Sequence, residues 1–312
     1  MNASLMKLLI AIFLWLPCVA TAQSRPYVVD KKFSGKLQQL VKSVGLDSSY
    51  DVGEALPQKV SVAIIIPGKK TAFAGVRPDH FIYPASVYKM YVAMEVLKQV
   101  SEGHYALDSP CIVRAPNDVD RSKEITSDPR PLLRAGDTVT VNYLLDLMIT
   151  RSDNTAANCL IDIAGRQNIN ETMQVNGWHG SEVTRKFLSR KFEDPGFENA
   201  KGTETSARHA ADFMYKVHTN QLINPWVSLQ MKALLARQLD KSKLAHGLPA
   251  GVVFSHKTGW WSFYTHDVGI VQDGSLTYVL AVFTPVREEQ MNGRLKLLAK
   301  KIHALMLKRH SR

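Results

Sequence analysis

The sequence predicts a mixed α/β (α+β) fold. A five-stranded antiparallel sheet is built from both chain ends and flanked by the terminal helices, with a helical lobe between them. Three observations predict it. β-Branched or alternating runs occur only towards the ends, at 60–66 and 71–76 and again at 252–257, 265–271 and 276–283. The stretch between these groups carries apolar residues at helical spacing, and amphipathic segments stand at both margins, 33–44 and 288–307.

Taken in order, residues 1–22 have a polar start with Lys7, an apolar run over 8–16 and a small-x-small site at Ala20-Thr21-Ala22 before Gln23. That is the pattern of a secretory signal peptide, and the run is too short to span a bilayer. Pro17 before Cys18 fits a lipoprotein signal poorly. The expectation is an exported protein, periplasmic or secreted, with one catalytic domain over 23–312 and no membrane span. A helix over 33–44 buries Leu37, Leu40 and Val41, and a hairpin turns at Gly68-Lys69-Lys70. The helical lobe covers about 86–245. It holds helices at 86–100, 139–149, 155–163 (stopped by Gly165), 207–219 and 225–239, with a Pro-, Asp- and Arg-rich irregular excursion at 108–137. Asp273-Gly274 turns the last two strands.

Of 312 residues, 45% are hydrophobic and 21% charged, an ordinary globular composition. The 39 Lys plus Arg against 28 Asp plus Glu give a net +11, but the basic residues are spread along the chain. The densest group, 294–312, reads as the solvated face of a helix, so no nucleic-acid partner is expected. Once Cys18 is removed, Cys111 and Cys159 remain. Cys159 lies in an apolar helical pattern and reads as a buried hydrophobe, and whether the two pair is open. There is no His-Glu-x-x-His, no Cys-x-x-Cys and no phosphate-binding glycine loop, and neither His256 nor His266 has metal-ligand spacing. Neither metal nor cofactor is expected, and a monomer is.

Three short motifs follow one another. In Ser86-Val87-Tyr88-Lys89 the hydroxyl and the amine, three positions apart, share a helix face. A serine needs a base beside it, and a lysine desolvated in a cleft can be one. Pro84 places Ser86 at the helix start, where backbone N–H groups favour developing negative charge. Alone the motif is weak, since Ser4-Leu5-Met6-Lys7 matches it by chance. Ser152-Asp153-Asn154 falls between two helices, where such a triplet is by itself an N-cap. His256-Lys257-Thr258-Gly259 ends a strand, offering a cation and a hydroxyl for a carboxylate and a glycine for close approach.

In this order and context the three motifs resemble those of the class A β-lactamases and their penicillin-binding relatives. The stretch GDTVTVNYLLDLMITRSDNTAANCLIDIAG, 136–165, looks especially like that family. The resemblance implies a β-lactamase/transpeptidase-like fold and a serine hydrolase acting on cyclic amides through an acyl-enzyme on Ser86. By the same resemblance Lys89 and Ser152 move protons, Asn154 holds the substrate amide, and Lys257 and Thr258 meet its carboxylate. The backbone N–H groups of Ser86 and Trp260 would form the oxyanion hole. The family's Glu-x-x-Leu-Asn pattern is absent, which leaves Glu193 or Glu198 as the deacylating base, with Glu204 pairing with Lys191 or Arg190 at the neck of the loop. Trp260-Trp261 stands where the family usually has a small residue. The rival reading on the same scaffold is a D-Ala-D-Ala peptidase or other penicillin-binding amidase, acting on a peptidoglycan-like peptide with slow deacylation.

Overall fold

The computed structural model describes residues 27–53 and 58–311, so the signal segment expected at 1–22 lies outside the described residues. The main sheet has six strands: β1 (Val28–Val29), β2 (Ser61–Ile66), β3 (Ala72–Val76), β4 (Val253–Trp261), β5 (Tyr264–Asp273) and β6 (Leu276–Thr284). Their order is β1-β3-β2-β6-β5-β4. Five are the expected antiparallel strands. The sixth corrects the expected count: β1 pairs parallel with β3, Val28 opposite Ala72 and Val29 opposite Phe73. Two residues are too few to show an alternation, so pairing rather than pattern makes this strand.

Side chains alternate across the sheet, and both faces are covered. Val62, Ile64, Leu280 and Val282 join a core with Leu37 and Val41 of α1 (Lys31–Ser43) and Leu295, Leu298 and Ile302 of α8 (Glu288–His310). Their neighbours Ala63, Ile65, Val279, Ala281 and Phe283 face the other core, shared with the helical lobe. Asp30 starts α1 by accepting a hydrogen bond from the Phe33 N–H at 2.8 Å.

The axis of the lobe is α2 (Lys89–Ser101), whose residues from Lys89 to Leu97 are all buried, the charged Lys89 and Glu95 among them. Around it stand α3 (Val141–Thr150), α4 (Asn154–Ala164), α5 (Arg166–Val175), α6 (Ala207–His218) and α7 (Pro225–Ala236). Of these, α5 was not expected: it is rich in Asn and Gln and buries only Ile169, Thr172 and Met173. The excursion at 108–137 is closed at its base by a two-stranded ribbon, Pro110–Ile112 against Thr138–Thr140. Strand β4 is an edge of the sheet and runs to Trp261, well beyond the expected end at 257, so Lys257-Thr258-Gly259 lies within a strand.

Candidate active site

The turn that carries Ser86 is not the regular helix start expected from the sequence. Ala85–Tyr88 form a single 3₁₀ turn, entered through Ala85 at φ +45°, a left-handed conformation that costs a non-glycine residue about 1–3 kcal/mol. Two contacts hold it there. His266 on β5 donates from Nε2 to the Tyr83 carbonyl at 2.9 Å and accepts at Nδ1 from the Thr284 N–H at 3.0 Å, so its tautomer is set. Burial pushes its pKa down to about 3, which keeps the ring neutral. On the other side β4 passes against the turn at Gly259. A Cβ there would lie 2.7 Å from the Pro84 carbonyl oxygen and 3.1 Å from the Ser86 nitrogen, so no larger residue fits without moving backbone. Ser86 Oγ makes no hydrogen bond among the described residues and opens into a cleft of about 630 Å³.

Lys89 is fully buried behind Ser86. Its ammonium donates to the Ser152 carbonyl, to Asn154 Oδ1 at 2.8 Å and to Ser152 Oγ at 3.3 Å. Burial lowers its pKa to about 8, although the charges of Glu124, Asp120 and Asp153 pull the other way. Lys257 approaches from β4 and donates to Ser152 Oγ at 2.9 Å and to the Thr258 carbonyl at 2.8 Å. Burial first, and then the charge of Lys89, push its pKa down to about 7. Because Ser152 Oγ accepts from both lysines, its own O–H points away from both. Such a hydroxyl is placed to pass a proton between a buried amine and a substrate atom in the cleft.

Ser152 is itself left-handed, at φ +63°, and the loop is clamped around it. Asp153 caps α4 by accepting from the Ala156 N–H at 2.8 Å and is held by Arg151 at 2.8 Å. Asp120, from the excursion, accepts from the Asn154 N–H at 2.7 Å, the Thr155 N–H at 3.1 Å and Asn154 Nδ2 at 2.9 Å. The Asn154 side chain is thereby engaged at both ends, by Lys89 and by Asp120. Asp120 has no motif around it, and only the folded excursion brings it here. The same excursion places Arg121, Lys123 and Glu124 along the cleft. Glu124 accepts the indole N–H of Trp260 across the cleft mouth, and both Trp260 and Trp261 line the opening and are exposed.

Glu193 and Glu198 stand elsewhere than expected, and neither lines the cleft. The Glu193 carboxylate is buried and paired with Arg166 of α5, while its other oxygen faces Arg185 Nε at 3.7 Å. Glu198 is exposed and accepts from the Gly196 N–H at 2.9 Å. Glu204 pairs through its backbone with Glu182, and Arg190 reaches the carbonyls of Glu198 and Ala200 instead. The wall opposite Lys89 is Phe187, whose ring centre lies 4.2 Å from the Lys89 ammonium and which stacks on Tyr88. We expect Glu193→Gln to lower stability by about 3–5 kcal/mol, because it leaves Arg166 with half of its partners in a buried site. Denaturant unfolding measures this, and a loss below about 1 kcal/mol would show that the pair does not hold the loop.

Among the described residues, no helix is long and apolar enough to cross a membrane.

A strained serine turn, two buried lysines and a serine shared between them thus meet between a sheet edge and a helical lobe. The family model described as the beta-lactamase enzyme family matches residues 48–305. The chain belongs to that family and is a hydrolase of the class A kind. It is 26% identical over 250 residues to the extended-spectrum beta-lactamase PER-1 of Pseudomonas aeruginosa, covering 75% of this chain and 74% of the relative. Among solved structures, PBP-A superposes with a TM-score of 0.73 at 20% identity, over 91% of this chain and 99% of that one. A β-lactamase of Sphaerobacter thermophilus superposes at 0.72 and 21% identity, over 87% and 97%. A variant of PBP-A with a leucine replaced by glutamate has been solved as an acyl-enzyme complex with penicillin G.

Proposed function

We propose that this protein opens β-lactam amides by forming an acyl-enzyme on Ser86 and releases the acyl group slowly. One observation carries this reading: Ser152 Oγ accepts from both buried lysines beside the Ser86 turn, while the group over the Lys89 ammonium is the Phe187 ring and not a loop glutamate. Neutral Lys89 takes the Ser86 proton as Oγ attacks the carbonyl, with Ser152 passing a proton to the leaving nitrogen. The Ser86 and Trp260 N–H groups stabilise the oxyanion, Lys257 and Thr258 on β4 take the substrate carboxylate, and Asn154 keeps the Lys89 amine in place. The three cleft carboxylates are already occupied, Asp120 by the Asn154 loop, Glu124 by Trp260, and Asp153 by Arg151 and the Ala156 N–H.

A second reading, a penicillin-binding peptidase acting on a peptidoglycan-like peptide, is favoured by the same apolar wall at Phe187, since a peptidase does not need a fast hydrolytic water for a lactam. Export with loss of residues 1–22, and action as a monomer, belong to both readings. The test mixes the protein with a chromogenic cephalosporin and follows colour and intact mass together. The expected result is a burst near one equivalent, a persistent adduct and a slow steady phase. Rapid turnover with no adduct would overturn slow release, and no adduct with any lactam would overturn the acyl-enzyme.

A further inference from the structure

The two cysteines of the described chain come from separate elements, the ribbon at the base of the excursion and α4. Cys111 lies in the Pro110–Ile112 strand of the ribbon that closes the excursion, opposite Val139, and is half-buried. Cys159 lies in α4, five residues beyond Asn154, and is buried. Cys111 packs against the apolar cluster that contains Cys159, and the two thiols lie close enough for each to shift the other's ionisation. The Asn117 amide, from the excursion, reaches Cys159 Sγ at 3.9 Å and Asp162 at 2.7 Å, so the segment after Cys111 is already folded onto α4 at this point.

We propose that Cys111 and Cys159 are a disulfide site, formed by exchange with a small or protein disulfide oxidant, and that the bridge anchors the cleft-lining excursion to the helix that begins at Asn154. The inference is independent of the reaction proposed above. The neighbouring Cys159 thiol lowers the Cys111 pKa to about 7, and that of Cys159 is pushed up, which makes the more accessible sulfur the attacking one. In the first step the Cys111 thiolate attacks one sulfur of the oxidant and displaces a thiolate, leaving a mixed disulfide. In the second, Cys159 loses its proton and attacks the Cys111 sulfur, displacing the second oxidant thiol. Two electrons pass to the oxidant, and its two thiols carry away the protons. The bridge would close a loop of roughly 50 residues, which contains the excursion, α3 and Ser152, and a loop of that size restricts the unfolded chain substantially.

The test uses the full chain in a glutathione disulfide/thiol buffer under native conditions, with alkylation and peptide mapping to separate Cys111 and Cys159 from Cys18. The expected product has lost two hydrogens, retains no glutathione, yields a Cys111–Cys159 cross-linked peptide and melts roughly 5–10 °C higher than the reduced chain. The Cys159→Ser variant should trap glutathione on Cys111. Two freely alkylated thiols after oxidation, or a lasting glutathione adduct on the unaltered chain, would overturn the site. A bridged chain that melts no higher than the reduced one would overturn the anchoring role.

Discussion

Ser86→Ala is expected to remove turnover and the covalent adduct together, with a fall of about 10⁴–10⁶ in the acylation rate. The fold should be nearly untouched. The Ser86 hydroxyl makes no hydrogen bond among the described residues and faces the cleft, so its loss leaves no buried partner unsatisfied. The strained turn is held by His266 and by the passage of β4 at Gly259, neither of which uses the hydroxyl. Intact-mass spectrometry after incubation with penicillin reads the first effect and a thermal melt the second. An adduct on the variant would move the nucleophile elsewhere, and a large loss of stability would mean that the hydroxyl has a structural role.

Lys89→Met is expected to slow acylation by about 10²–10⁴, the range of a lost general base. It should also remove a pH dependence. In the unaltered protein the amine is protonated, and so inactive as a base, below its depressed pKa. Acylation should therefore rise with pH through about 7 to 8, the macroscopic range of the Lys89–Lys257 pair, and flatten in the variant. Stability carries a matching sign. Between about 8 and the ordinary 10.5, the unfolded chain holds the Lys89 proton that the folded chain has lost. Stability should therefore rise with pH across that window, and the variant should lack the Lys89 part of the rise. An acylation rate that is flat in the unaltered protein, or a variant that keeps the rise, would remove Lys89 from the role of base.

Much of the fold was legible because its signals are local. The β-branched run at 60–66, the Asp273-Gly274 turn and the amphipathic margins each state their element within a few residues. The missed elements lack such a signal: β1 is two residues long, and α5 has a polar sequence whose three buried side chains become a helix face only against the lobe. The site divides in the same way. Ser86 and Lys89 were visible three positions apart at one helix start, and Ser152 and Lys257 each within a short motif of its own.

The loop carboxylates were another matter. The basic-aromatic-Glu opening at 191–193 suggests a base, yet Arg166 lies 27 positions away and captures that carboxylate. Asp120, Glu124 and Phe187 carry no motif, and each reaches the site through long-range packing of the excursion or the loop.

By itself, then, the sequence determined the family, the sheet-and-lobe architecture and the serine and lysine motifs that the fold brings together. Only the tertiary structure decided which carboxylates reach the cleft, that an aromatic ring faces Lys89, and that Cys111 lies against Cys159. The physical reason is range: periodicity and short motifs report contacts within a few residues, while a charge or a thiol finds its partner through the packing of distant segments.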